Sequence, residues 1–139
     1  MYDKILVPYD GSESSTRALE AAIELAKSVK SYSVFTVLYV VQEIPVVETT
    51  GLAGDVEGIL EEEGEKAVRP VMELLKKEGI TAQPIYVHGE PAEAICDQAK
   101  QYDLVIMGRR GLGPFKEIVL GSVSHKVIQN SECPVMVVN

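Results

Sequence analysis

Short, continuously apolar runs separated by amphipathic stretches restrict the fold of this chain more than any other feature. Residues 3–9 carry Ile5-Leu6-Val7, and residues 33–41 read SVFTVLYVV. Leu104-Val105-Ile106-Met107 stops at Gly108, and Val135 to Val138 is apolar throughout. Runs of this length, rich in β-branched residues and lacking a polar alternate face, read as strands buried on both sides. That is the condition of a parallel sheet held between two helical layers. The stretches between them have the helical period. Behind Ser12, a predicted N-cap, Leu19, Ala22, Ile23, Ala26 and Val29 fall three or four residues apart. Gly54 to Glu78 repeats the pattern with Val56, Leu60, Ala67, Val68, Val71 and Leu75. Gly58, Gly64 and Pro70 weaken it, and a proline inside a helix is expected to kink or split it. Gly79 reads as the C-cap. Thr81 to His88 is a predicted strand, Pro91 opens a helix over Ala92 to Lys100, and a last helix runs to Asn130.

Five strands alternating with four helices place the chain in the α/β class. The expectation is an open, twisted, five-stranded parallel sheet with helices on both faces, Rossmann-like or flavodoxin-like. At 139 residues it reads as a single domain, 1–139, large enough for a core without disulfides or metals. A net charge of −8 speaks against nucleic acid as a partner, since a backbone binder needs a basic face. No apolar run approaches the ~20 residues of a membrane span. With no basic segment leading into an apolar one near Met1, a cytoplasmic protein with no membrane partner is expected. Cys96 and Cys133 have neither a C-x-x-C spacing nor a nearby histidine pair, so packed thiols are expected rather than a zinc or redox site. Asp55 to Glu65 holds six acidic residues and no basic one, which reads as a solvated helix face.

The stretch Asp103 to Ser124, DLVIMGRRGLGPFKEIVLGSVS, carries the chemistry. A strand ends in a glycine-rich loop, and the loop leads to a helix start at Gly121-Ser122. Helix N-termini present unpaired N–H groups and a favourable dipole to anions, while glycines let main chain approach an oxyanion. Ser122 and Ser124 add hydroxyls. From Gly108 to Lys126 there are four basic residues (Arg109, Arg110, Lys116, Lys126) against Glu117 alone, a local positive excess in an acidic chain. A P-loop is absent, because no Gly-Lys-Ser/Thr occurs, and Lys116 stands where G-x-G-x-x-G needs its third glycine. The spacing present is G-x-x-G, nine residues, then G-S: Gly108, Gly111, Gly121 and Ser122.

That signature, with KILVPYDGSE at the start and CPVMVV at the end, resembles the universal stress protein family in its ATP-binding branch. The resemblance spans nearly the whole chain and implies strand order 3-2-1-4-5. Ligands of such sheets sit at the carboxyl ends of the strands where the winding reverses, here between the first and fourth strands. It implies a nucleotide pocket walled by Pro8 and Tyr9, with Asp10 on the ribose or beside a phosphate-bound ion and main-chain atoms of Val40 on the adenine edge. Met107 lines the pocket. Gly108, Gly111, Gly121, Ser122, Val123 and Ser124 surround the phosphates. Asp10 alternatively only caps the helix after it. Three placements stay open for Arg109 and Arg110, and equally for Lys116: on phosphate, on an acidic residue of a second subunit, or in solvent. His88 reads as a loop residue and His125 as exposed, and no catalytic residue emerges.

The function implied is a nucleotide-dependent switch in stress response. Its ligand would be ATP, with Mg²⁺ or Mn²⁺ held mainly by the phosphates. The segment 41–54 is a candidate to fold over the site or an unidentified protein partner. The apolar last strand is an expected homodimer edge. Two alternatives stand beside this reading: a slow ATPase or phosphotransferase of the same fold, and a nucleotide-independent dimeric module.

Overall fold

The computed structural model describes residues 2–29, 32–42, 56–109 and 121–139. Its elements run β1 (Lys4–Pro8), α1 (Glu13–Ser28), β2 (Val34–Val41), α2 (Val56–Lys77), β3 (Gln83–His88), α3 (Pro91–Ala99), β4 (Leu104–Gly108), α4 (Ser122–Asn130) and β5 (Val135–Val138). The five strands form one sheet in the order β3-β2-β1-β4-β5, with every pairing parallel.

Alternate strand residues feed two cores. On one face Ile5, Val7, Phe35, Val37, Leu104 and Ile106 meet the buried stripes of α1 and α2, including Leu19, Ile23, Val68 and Leu75. On the other, Leu6, Leu38, Val105 and Met107 meet Ala92, Ile95 and Ala99 of α3 and Val127 of α4. This period-two division of continuously apolar strands is what a parallel sheet between helical layers requires.

Local chemistry sets the helix ends. Ser12 Oγ accepts from Ser15 N–H at 3.0 Å, capping α1. Glu90 caps α3 by accepting from the N–H groups of Ala92 and Glu93, and Pro91 takes the first helical position. Past α2, Gly79 sits at φ +80 with its N–H on the Lys76 carbonyl, and Ile80 N–H reaches back to Leu75. This is the left-handed stop that a glycine makes without strain.

Of the kink or split expected at Pro70, the split does not occur: α2 is one helix of 22 residues with Pro70 inside. The carbonyl deprived of a partner belongs to Lys66, and both residues are exposed, so solvent can take up the orphan group. Gly64 also has a reason to be there. A Cβ on it would overlap Cδ1 and Cγ of the Tyr86 ring, so its absence lets α2 lie down on β3. An open groove of about 520 Å³ follows the same seam, lined by Glu61, Glu65, Arg69, Met72, Pro84 and Tyr86, and it includes no expected site residue. Burial, with Glu65 and Glu61 beside it, pushes the Tyr86 phenol up.

Thr36, fully buried on β2, accepts a bond from Gln83 Nε2 at 3.0 Å and one from the Tyr102 hydroxyl at 2.7 Å. Cys96 and Cys133 are free thiols packed half-buried against the α3/α4 core, and burial first, then the charges of Asp97 and Glu90, pushes the Cys96 thiol up. His88 and His125 are exposed. No helix among the described residues is long and apolar enough to cross a membrane.

Gly64→Ala tests the α2–β3 seam. Propensity alone would favour alanine by about 1 kcal/mol, but displacing a ring whose Cγ is in the way costs about 1–3 kcal/mol. A lowered melting temperature is expected in thermal unfolding, and a raised one would show that Tyr86 yields easily.

Candidate functional site

The winding reverses between β1 and β4, and the structure brings several expected site residues to that notch. β1 ends at Pro8, which is buried and in register with Leu38. Tyr9 N–H makes the next bond, to the Leu38 carbonyl at 2.8 Å, before the chain turns through Gly11 into α1. On β2, Leu38 therefore points its main-chain groups at β1, whereas Val41 accepts from Gly89 N–H on the β3 side. Main-chain direction alternates along a strand. Val40 must then aim its N–H and C=O toward β1, beyond the residue where β1 stops. Among the described residues no main-chain bond from outside the strands reaches them.

Asp10 is exposed, and its Oδ1 accepts from Ser12 N–H at 2.9 Å. It thus supports the turn into α1, while the cap itself belongs to Ser12. Its Oδ2 carries no hydrogen bond to another described residue.

β4 reaches the notch at Gly108, and the first turn of α1 lies directly on it. A Cβ on Gly108 would stand 2.5 Å from Ser14 Oγ and 2.6 Å from the Ser14 carbonyl carbon and oxygen. The glycine is therefore needed for packing in its own right, a role the loop signature does not announce. Met107 is 5% exposed and belongs to the α3/α4 core, so its side chain is core and not an open wall.

Arg109 is the junction beyond. Its N–H donates to the Val138 carbonyl of β5 at 2.9 Å, and its carbonyl accepts Gly121 N–H at 2.8 Å. Its guanidinium donates from Nη1 to Asn139 Oδ1 at 3.3 Å, and Arg17 Nε donates to the Asn139 main-chain oxygen at 2.9 Å. Neither Ser14 at the α1 turn nor the Arg17–Asn139 contact carried a sequence signal.

α4 begins with Gly121 as an N-cap that supplies no side-chain bond. Its first helical bond runs from His125 N–H to the Gly121 carbonyl, which leaves the N–H groups of Ser122, Val123 and Ser124 ahead of the ladder. α1 and α3 cover such groups with Ser12 and Glu90; among the described residues no side chain does so for α4. Ser122 is exposed and Val123 half-buried. Ser124 differs from expectation. It is 2% exposed, and its hydroxyl lies 2.8 Å from the Arg109 carbonyl and 3.1 Å from that of Gly121. Its donor faces inward and is in use.

Gly111, Arg110 and Lys116, like most of the 41–54 segment, lie outside the described residues. Among the described residues no group of three or more His, Cys, Asp or Glu side chains is placed to hold a metal ion.

Gly108→Ala is expected to destabilise the fold by about 1–3 kcal/mol, because the Ser14 backbone must move to admit the methyl group. Chemical denaturation checks this, and an unchanged midpoint would mean that the α1 turn is not seated on β4 as described.

The chain matches the model of the universal stress protein family over residues 1–139. It is 39% identical to a universal stress protein of Bacillus subtilis, YxiE, over 99% of both chains. The solved structure of MJ0577 from Methanocaldococcus jannaschii superposes with a TM-score of 0.82 at 33% identity, covering 99% of this chain and 96% of that one. A universal stress protein solved in complex with cAMP shares the fold at a TM-score of 0.70 and 23% identity, over 99% of this chain and 97% of that one.

Proposed function

We propose that this chain, which belongs to the universal stress protein family, binds an adenine nucleotide in the notch between β1 and β4. In this reading ATP is the working ligand, and its binding switches the surface offered to a protein partner. The observation that carries the reading is the start of α4, capped by no side chain among the described residues, where three successive main-chain N–H groups follow the Gly121 bond to Arg109 beyond β4. Such a set binds phosphate oxygens through amide donors and the helix dipole together. The remaining pieces suit the rest of a nucleotide. The main-chain N–H and C=O of Val40 form a donor–acceptor pair of the kind an adenine edge matches. Asp10 keeps Oδ2 for a ribose hydroxyl.

Gly111 belongs to the proposed phosphate environment on the strength of the loop signature, and Arg109 on the strength of its charge next to Gly108. The cAMP complex named above is too distant in sequence to speak for more than the fold, so the proposal rests on this chain's own residues. Mg²⁺ or Mn²⁺ would come with the phosphates, since Asp10 is the single carboxylate among the site residues. Hydrolysis is proposed to be slow at most, because Asp10 is assigned to the ribose and the sequence offers no other evident base for an attacking water.

Calorimetric titration of nucleotide-stripped protein with ATP and Mg²⁺ tests this. Saturable binding is expected, lost in Gly121→Val, and ligand at ~100 Kd should add about 2.7 kcal/mol of stability. Absence of both heat and stabilisation would sink the nucleotide reading.

The proposal includes a homodimer through β5. Val105 N–H bonds the Pro134 carbonyl and Arg109 N–H bonds that of Val138, so Val135 and Val137 turn their main-chain groups to the open edge. Met136 beside them is 40% exposed. Sedimentation should find a dimer in the unmodified protein and a monomer in Val137→Pro, which removes an edge donor outside the β4–β5 ladder. A monomeric unmodified protein would overturn it.

A further inference from the structure

We propose that Ser124 is a positioning residue: its buried hydroxyl, bonded to the Arg109 carbonyl, aims the first-turn amides of α4 at the phosphates. This rests on the nucleotide reading above and assigns part of that site's geometry to a group the ligand does not touch. Ser124 stands three positions after the N-cap Gly121, where a serine would ordinarily face solvent or a ligand. Here it is 2% exposed and its single proton serves the nearer acceptor, the Arg109 carbonyl at 2.8 Å. A phosphate would have to break that bond to use it.

The Arg109 carbonyl has two lone pairs, and the structure fills both, one with Gly121 N–H and one with Ser124 O–H. These two bonds differ in what they restrain. The Gly121 bond holds the cap residue alone and would let the helix end pivot about it. The Ser124 bond comes from within the first turn, so the pair fixes direction as well as distance. On its other side Arg109 donates to Val138, so the carbonyl is itself immobilised by the β4–β5 ladder. Amide hydrogen bonds weaken steeply when misdirected, and preorganised donors are worth more than mobile ones. The hydroxyl thus acts on the ligand through Arg109 and α4. Ser122, exposed one residue after the cap, remains the serine available for direct contact.

The test compares Ser124→Ala with Ser124→Thr, which restores the hydroxyl, and with Ser124→Cys, which keeps the volume with a weaker donor should threonine crowd the site. Hydrogen exchange of the Gly121 and His125 amides, the bonded ones at the start of α4, is followed without ligand, and affinities for ATP and adenosine are measured by calorimetry. In Ser124→Ala the expected results are faster exchange at these two amides and ATP binding weakened about fivefold, the factor that corresponds to one net hydrogen bond. Adenosine affinity should not change. Threonine, or in lesser degree cysteine, should recover both effects.

Unchanged exchange in Ser124→Ala would overturn the clamp. Faster exchange with ATP affinity intact, or equal loss of ATP and adenosine, would overturn the positioning role. An unmodified protein that takes up no ATP would remove the nucleotide reading and the positioning role with it, while the exchange comparison would still decide whether the clamp exists.

Discussion

The first turn of α1 rests on the main chain of β4 at Gly108, and the geometry of the C-terminal end of the sheet depends on that contact. Parallel strands joined by crossovers leave an open corner where the winding reverses. How wide the corner is depends on how closely the flanking helix can approach. With no side chain at Gly108, Ser14 comes within van der Waals range of the strand backbone. The turn from Pro8 to Ser12 is thereby held beside the residue at which β4 gives way to the loop. Asp10 on one side and the start of α4 on the other are consequences of that approach.

The fold was largely legible in the residues, for a reason specific to its class. Strands covered on both faces must be apolar at every position, and helices lying on a sheet must be apolar on one stripe, so Ile5-Leu6-Val7 and Leu19 to Ala26 each declare their environment. Order 3-2-1-4-5 followed from the resemblance and is the order found. The split allowed for at Pro70 rested on weighing a proline by its effect on an isolated helix. In α2 the Val68, Val71 and Leu75 stripe is buried on either side of it, and packing outweighs one missing bond whose orphan carbonyl faces water.

The candidate site was legible only where side-chain identity matters. The glycine and serine spacing pointed to the start of α4, and Asp10-Gly11 pointed to the end of β1. The direction of Val40's main chain was implied by resemblance but could not be read from a valine, since it depends on where the neighbouring strand stops. Ser124 was assigned the wrong surroundings because a serine near a helix start offers the same hydroxyl to a ligand or to a carbonyl inside the protein. Only the position of Arg109, held by β5, decides between them.

The hydroxyl of Thr36 bears on a different matter, the alignment of the edge strand. Side chains along a strand repeat every two residues, so sliding β3 past β2 by two positions would keep each apolar residue on its own face. Burial alone discriminates poorly between the two alignments. Gln83 and Tyr102 both reach Thr36 in only one of them. In the other, the Thr36 hydroxyl keeps Tyr102 but gives up its bond to β3, so one net hydrogen bond favours the alignment found. One threonine in an otherwise oily strand thus acts as an index mark, favouring one offset of β3 where burial alone discriminates poorly.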